Sequence, residues 1–263
     1  MFSEILTFVI FLLIGLEIRE GFTKPKATVL PALCAAGGMI APALIFLIFQ
    51  AGSNIWAVTM PTDVALALGA LSLLGNRVNA QTRLFLLMLA VADDLLSLGV
   101  IAIFFRSDLD LASVVYTFGA VSIGFIAPKR TIVLKFVAPI ATYVAIPLYI
   151  VINLLSKLDF TYTTNSVTWS IVIARVIGKI VGITLVAWAI LRIRPSLRPN
   201  GLSLDEIAGI AALAGMGLTV SLVIANIAVE SESALSEVRM GLFFAAVISA
   251  LFGVSWLKRS LDS

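Results

Sequence analysis

The sequence predicts an all-α polytopic membrane protein with about nine transmembrane helices. Of its 263 residues 60% are hydrophobic and 13% are charged, and the mean hydropathy is +1.10, values typical of membrane chains. Apolar runs of about 20 residues, the length that crosses a bilayer, recur along the whole chain. Because no soluble domain or linker separates these runs, we expect residues 1–263 to form a single membrane domain.

The nine predicted helices are apolar runs bounded by charged or turn-forming residues. In chain order they cover 4–18, 27–50, 55–75, 82–105, 110–128, 132–155, 168–191, 204–228 and 234–257. The fifth is the least regular, because its start is polar and Tyr116, Thr117 and Gly119 occupy its middle. The first lacks a basic leader and a small-residue cleavage site, so we predict a retained span rather than a signal peptide.

Charge and cysteine content exclude two other classes and set the orientation. The basic residues lie in short connectors rather than in a patch, so no nucleic-acid partner is expected, and the single cysteine, Cys34, excludes an internal disulfide framework.

With nine helices, thirteen lysines and arginines fall on one side of the membrane and three on the other. Basic residues collect on the cytoplasmic side, which predicts a cytoplasmic C-terminus and an N-terminus outside the bacterial inner membrane.

Asp93 and Asp94 lie at the centre of segment 82–105, where a charged side chain costs about 2.5–3.5 kcal/mol and usually marks an ion or proton pathway. Adjacent residues on a helix point about 100° apart. One carboxylate can therefore meet a cation while the other meets a second helix. The alternative is a loop at this point between two half-length segments, neither of which would span the bilayer.

Three more ionisable residues are notable. Lys179 lies near the middle of segment 168–191, and we expect it to pair with Asp93 or Asp94, although a lysine can also extend its ammonium group to the interface. Arg175, one turn earlier, is predicted to reach the rim of the membrane. Glu17, at the end of the first helix, is interpreted as part of an interfacial charge cluster.

Segment 55–75 contains a helix start at its centre. Pro61 has no backbone N–H group, and Thr62 and Asp63 are residue types that cap helix starts. The segment is therefore either a broken helix, or a helix that begins here after an outer loop over 51–60. In a broken membrane helix the unwound backbone and polar side chains line a cavity.

Segment 204–228 carries a second candidate interruption. Gly215 and Gly217 precede Thr219 and Ser221 within this apolar run. Small residues in membrane helices also permit close helix packing, so this pattern indicates either a break or a packing site.

Five stretches resemble, in this order, the NhaA family of sodium/proton antiporters: FLLIGLEIREG, MPTDVALALGALSLLGNRV, FLLMLAVADDLLSLGVIAIFF, VIGKIVGI and AGMGLTVSLVIANIA. The resemblance covers most of the chain. It implies inverted repeats with two discontinuous helices that cross at the midplane. The repeats would be about 27–105 and 168–257, with connecting or interface helices at about 1–20 and 108–155.

The resemblance also implies roles for individual residues. Asp94 would be the principal Na⁺ ligand, and Asp93 would exchange between Lys179 and the ion. Thr62 and Asp63 match the first helix break, where Asp63 would balance the positive ends of the half-helices. The other matches are Pro61, Gly215, Gly217 and Thr219 at the helix breaks and Glu17 at the cytoplasmic funnel.

The implied function is electrogenic secondary active exchange of Na⁺ or Li⁺ for protons, without enzyme activity or a cofactor. Na⁺ is a hard cation that prefers carboxylate, hydroxyl and carbonyl oxygens. We therefore expect Na⁺ and protons to compete for the oxygens of the Asp pair. The implied partners are the lipid bilayer, monovalent cations and protons, and a second copy of the chain in a homodimer.

The chain departs from the family pattern in three ways. It begins within the family's second helix, without the extracellular hairpin that helps the family dimerise. About two helices are missing around residues 106–130, which preserves the sidedness of the helices that follow. Leu134 lies where the family has a glutamate near its pH-sensing cluster, and histidine is absent, so the resemblance does not extend to regulation by pH.

Two other classes stay open. The missing helices favour a truncated or degenerate relative that does not transport, whereas the complete set of charged site residues favours transport. An intramembrane aspartyl protease would need a dyad of Asp63 with Asp93 or Asp94. The G-x-G-D signature of that class is absent, and Lys179 would have no role in it.

Overall fold

The protein is an all-α bundle. A computed structural model describes residues 2–22, 25–105, 115–126, 136–199 and 201–262, and no strand occurs in those ranges. The helices are α1 (Phe2–Phe22), α2 (Pro25–Phe49), α3 (Val64–Ser72), α4 (Ala80–Phe104), α5 (Ala120–Ile126), α6 (Ile146–Asn153), α7 (Ser166–Ile193), α8 (Leu204–Leu213), α9 (Thr219–Ala228) and α10 (Glu232–Asp262). Within those ranges, six segments are long and apolar enough to cross a membrane, in agreement with the predicted polytopic membrane fold.

Shorter helical turns complete the backbone. A 3₁₀ helix, Asn54–Thr59, precedes α3, and π-helical turns lead into α5 (Val115–Gly119) and α6 (Ala141–Ala145). Further 3₁₀ turns are Gly75–Arg77, Leu155–Lys157, Phe160–Thr164 and Pro195–Leu197. Each of the nine predicted segments contains helix among the described residues, although 110–128 and 132–155 begin outside them.

Two of the predicted segments are broken, and α4 is not. Segment 55–75 consists of the 3₁₀ helix and α3, and segment 204–228 consists of α8 and α9. The 3₁₀ residues Ala57, Val58 and Thr59 are buried, so the outer-loop alternative for 51–60 is wrong. Helix α4 runs without interruption through its two aspartates, which excludes the loop alternative there.

Side chains fix where the helices begin. The first N–H groups of a helix have no intrahelical acceptor and are satisfied by a capping side chain. Asn79 accepts from Thr82 at the start of α4, Asn165 accepts from Val167 at the start of α7, and Ser203 and Glu206 form a capping box on α8.

Glycines bring α2 and α7 into backbone contact. A Cβ atom added at Gly182 would collide with the carbonyl oxygen of Gly37, and one added at Gly178 would lie 2.7 Å from the Cα atom of Pro42. Small residues allow such close approach between membrane helices. The contact fixes α7, which carries Arg175 and Lys179, against a neighbouring helix.

Helices α1 and α5 form a second closely packed pair. An added Cβ atom at Gly15 of α1 would collide with the Val121 carbonyl oxygen, and one at Gly124 of α5 would collide with the Leu12 carbonyl oxygen. These two helices are therefore in backbone contact with each other, as α2 and α7 are.

The polar centre lies between two hydrophobic clusters. One cluster contains Phe85, Leu86 and Leu89 of α4 and Ile183, Ala187 and Leu191 of α7. The other contains Leu98 and Ile101 of α4 and Ile171 and Ala174 of α7. Asp93 and Asp94 of α4 and Arg175 and Lys179 of α7 fall between these stretches, so apolar packing flanks them in both directions along each helix.

Candidate functional site

Lys179 and Asp93 form a buried ion pair between α7 and α4. The Lys179 ammonium nitrogen lies 3.2 Å from Oδ2 and 3.3 Å from Oδ1 of Asp93, and both side chains are at most 1% exposed. The ammonium group also donates to Thr62 Oγ1 at 2.9 Å, at the break before α3. A buried charge needs an opposite charge and hydrogen-bond partners, and these contacts provide both. Of the two partners that the sequence left open, the structure selects Asp93.

Asp94 lines a cavity instead of meeting a cation. The cavity has a volume of about 420 Å³ and is also lined by Thr62, Asp63 and Glu17. Asp94 is 4% exposed, and within the described part of the chain we find no hydrogen bond or ion pair to its carboxylate. At about 30 Å³ per water in the liquid, the cavity has room for several waters, so a hydrated ion can approach this carboxylate.

The cavity reaches the surface of the bundle near one end of the broken helix. Ser72 and Tyr143, both exposed, belong to its lining. At the other end of the broken helix, Trp56 packs edge-on against Phe104 with ring centroids 5.2 Å apart. The carboxylate of Asp94 is therefore accessible from one end of the bundle.

Asp63 connects the amino-terminal ends of α3 and α9. Its Oδ1 atom accepts a hydrogen bond from the Leu66 amide at 3.3 Å. Its Oδ2 atom accepts from the Thr219 hydroxyl at 2.9 Å and from the Thr219 amide at 3.4 Å. Helix amino termini carry partial positive charge, so a carboxylate at this point stabilises the approach of two such ends.

Arg175 contradicts the prediction that it reaches the membrane rim. Its side chain is 0% exposed. The guanidinium group donates to the carbonyl oxygens of Val58 at 2.8 Å, Pro61 at 2.7 Å and Gly215 at 3.2 Å, and to the hydroxyl oxygen of Ser221 at 2.8 Å. Its spacing of four residues from Lys179 places both on one face of α7, which is the sequence signal that could have revealed this role.

The remaining predicted site residues lie at the crossing of the broken helices or line the cavity. Added Cβ atoms at Gly215 and Gly217 would collide with Ser249 Oγ and with the Pro61 carbonyl oxygen, respectively. Both glycines therefore allow close approach at the second break. Glu17 is half-buried and lines the same cavity as Asp94. Its position is therefore part of the cavity, and the interpretation as an interfacial charge cluster alone is incomplete.

Comparison with known proteins agrees with this arrangement. A family model described as Na⁺/H⁺ antiporter 1 matches residues 1–137 and 129–257. The chain belongs to the Na⁺/H⁺ antiporter 1 family. Its members are transporters, so the intramembrane protease alternative is wrong, and the resemblance noted in the sequence is confirmed. The two matched stretches meet at 129–137, most of which lies outside the described residues.

Individual relatives extend over almost the whole chain. An "Na(+)/H(+) antiporter NhaA" of Citrobacter koseri is 30% identical over 99% of this chain and 83% of its own length. Proteins with the same description from Psychrobacter cryohalolentis and a Shewanella species are 30% and 29% identical; they align over 96% and 95% of this chain and 79% and 80% of their own lengths. The Citrobacter alignment runs over 325 residues against 263 here, so that relative has residues without a counterpart in this family member.

Proposed function

We propose that the chain exchanges Na⁺ or Li⁺ for protons across the bacterial inner membrane by alternate occupation of the Asp94 carboxylate. The single observation that carries this proposal is the isolation of Asp94, a nearly buried acid that lines a cavity open to the surface. Burying an unpaired charge is costly. Either a bound proton or a bound Na⁺ compensates this charge, so the two are alternative ligands of one carboxylate.

The charges around Asp94 support this assignment. Five ionisable side chains meet where the broken helices cross: Asp63, Asp93, Asp94, Arg175 and Lys179. Lys179 is paired with Asp93, and Asp63 and Arg175 are hydrogen-bonded to opposite ends of the broken helices. Lys179 compensates the charge of Asp93, and two helix amino-terminal ends compensate that of Asp63. Among the described residues, Asp94 is the acid of this group without such a partner.

The neighbours of Asp94 are suitable Na⁺ ligands. Na⁺ prefers carboxylate, hydroxyl and carbonyl oxygens, and the Thr62 hydroxyl lines the same cavity. Asp93 would turn from Lys179 to the ion when Na⁺ enters, which adds a second carboxylate. An inward proton gradient then expels Na⁺, because each protonation of the site releases the ion it held.

The orientation of the cycle follows from charge distribution. Glu17 and Ser72 lie near the ends of α1 and α3 that the distribution of lysine and arginine assigns to the cytoplasm, so the cavity would open inward. Outward opening requires the repeats, about 27–105 and 168–257, to move against the unit that contains α1, α5 and α6. The homodimer implied by the resemblance stays a prediction.

The test is sodium-driven proton movement in proteoliposomes. We compare the parent chain with Asp94→Asn and with Asp159→Asn, a matched control on the surface. Asp159 is exposed and caps a 3₁₀ turn, a role that asparagine also fills. Removal of the Asp94 charge should reduce exchange to background, whereas the control should keep the parent rate.

Two other results would contradict the proposal. Exchange by Asp94→Asn at the parent rate would mean that the ion crosses by another route. If neither the parent nor the control moved protons while both remained folded, the chain would be a relative that does not transport.

A further inference from the structure

The guanidinium group of Arg175 lies where two helix ends converge. Val58 and Pro61 provide carbonyl groups at the end of the 3₁₀ helix, and Gly215 provides one just after the end of α8. The last carbonyl groups of a helix have no intrahelical donor and carry partial negative charge. The planar guanidinium group, with its five N–H donors, can bind several such carbonyl groups at once.

The charge at the opposite ends of the broken helices is balanced by Asp63. Its carboxylate accepts hydrogen bonds at the starts of α3 and α9, whereas Arg175 donates at the ends of the 3₁₀ helix and α8. The fourth bond of Arg175, to Ser221, also connects it to α9. One acid and one base therefore balance the four helix ends of the crossing.

Lys179 has no part in that balance. Its ammonium group donates to the side chains of Thr62 and Asp93, and among the described residues it bonds no backbone carbonyl group. The helix ends therefore do not depend on Lys179 for neutralisation, and its ion pair with Asp93 can open without exposing them.

Gly217 gives independent evidence that the surrounding backbone is shaped to accommodate the Arg175 guanidinium group. A Cβ atom at this position would collide with the Arg175 Nη2 atom and with the Pro61 carbonyl oxygen. Only a residue without a side chain allows the guanidinium group to reach the carbonyl group of Pro61 here.

We propose that Arg175 is a positioning residue that permanently neutralises the carboxyl ends of both broken helices and, as a fixed positive charge beside the site, sets how tightly Asp94 holds its cation. This inference rests on the function proposed above. Lys179 is then the movable cation of the site, and Arg175 is the fixed one.

The experiment compares Arg175→Gln, which removes the charge, with Arg175→Lys. The lysine variant keeps the charge but loses the planar guanidinium group and its several N–H donors. A matched control is Arg239→Gln, because Arg239 is also buried and bonds Glu232 at the start of α10, away from the crossing. Na⁺ titrations of exchange in proteoliposomes at several pH values give KM, maximal rate and the pH profile. Parent and Asp94→Asn vesicles are measured alongside.

Loss of the fixed positive charge should strengthen cation binding. We expect Arg175→Gln to lower the KM for Na⁺ about tenfold at alkaline pH, where protons do not compete, as for the loss of one nearby charge. It should also shift the pH profile towards higher pH, because protons bind more tightly too, and lower the maximal rate because release is slower. Arg175→Lys should keep the KM and the pH profile within about twofold and lower the maximal rate. Arg239→Gln should change neither KM nor pH profile.

Two results would overturn the inference. Parent-like KM and pH profile in a folded Arg175→Gln would reduce Arg175 to a structural residue. If Arg175→Gln does not fold, the Arg175→Lys variant tests the inference instead. A parent-like maximal rate in that variant would show that the planar guanidinium group is not needed. Failure of the proposed function is distinguishable, because Asp94→Asn would then exchange like the parent or the parent would not exchange at all, and the inference would fall with it.

Discussion

At the scale of single residues, the chemistry depends on the different surroundings of two adjacent aspartates. Asp93 faces α7 and is paired with Lys179, whereas Asp94 faces the cavity. The difference follows from helix geometry, because neighbouring residues point about 100° apart. One carboxylate therefore keeps a buried counter-charge, and the other is available to protons and Na⁺.

Competition at Asp94 predicts how transport depends on pH. If one proton leaves for each Na⁺ bound, the KM for Na⁺ should rise about tenfold for each unit by which the pH falls. If Lys179 also exchanges a proton, the rise should be steeper, about hundredfold, as electrogenic exchange requires. The maximal rate at saturating Na⁺ should stay constant, since enough Na⁺ displaces the proton.

Na⁺ titrations at pH steps of one unit measure this slope. The Asp159→Asn variant should have the same slope as the parent. A KM that does not change with pH, together with a falling maximal rate, would place the proton-sensitive group outside the Na⁺ site and refute simple competition.

At the scale of helices, the breaks and the glycine contacts have different purposes. The breaks bring backbone ends to the centre of the bundle, where Asp63 and Arg175 bind them. The glycines bring whole helices together, and Gly37 and Gly182 fix α7 against α2. Since α7 carries both cations of the crossing, Arg175 and Lys179, this contact determines how far they reach towards α3, α4 and α8.

Closer packing at that contact should be destabilising. Gly182→Ala places a methyl group against the Gly37 carbonyl oxygen, so α2 and α7 must separate, at a cost of about 1–3 kcal/mol. Gly99→Ala on α4 is the control, because nothing lies within 4 Å of an added Cβ atom there, and alanine favours helix by about 1 kcal/mol.

Thermal unfolding in detergent compares the two variants. The unfolding midpoint should fall for Gly182→Ala and should be unchanged or higher for Gly99→Ala. Equal midpoints for the Gly182 variant and the parent would mean that α2 and α7 do not depend on close backbone contact.

At the scale of the whole molecule, the bundle has two distinct ends. Asn79 bonds the Gly201 carbonyl group at one end, and Gln50 bonds Ser166 and Ser170 at the other. Ser72, in the cavity lining, lies at the first of these ends, close to α4. Lysine and arginine predict that the first end is cytoplasmic, so the cavity should open to the cytoplasm.

Cysteine labelling tests this orientation. The parent should not react with a membrane-impermeant maleimide, because Cys34 is 0% exposed. Ser72→Cys should react in inverted vesicles but not in spheroplasts, and Ala51→Cys, at the opposite and exposed turn, should react in spheroplasts only. The reverse pattern would invert the proposed direction of the cavity.

The sequence by itself determined where most of the helices lie and marked two candidate breaks, each with an alternative that the structure then decided. Spans are local features, because the length of an apolar run sets them, whereas Pro61, Gly215 and Gly217 indicated interruptions without excluding an outer loop or a packing site. It also placed Asp93, Asp94 and Lys179 at mid-span, since depth follows from position along a helix.

Only the tertiary structure decided which buried charges meet. The sequence left Lys179 with two candidate partners and assigned Arg175 to the membrane rim, whereas the fold pairs Lys179 with Asp93 and directs Arg175 into the crossing. The partner of a buried side chain lies on another helix, and the rotation of that helix depends on packing across the bundle. A charge pattern along one helix therefore shows that a partner must exist, and three-dimensional packing selects it.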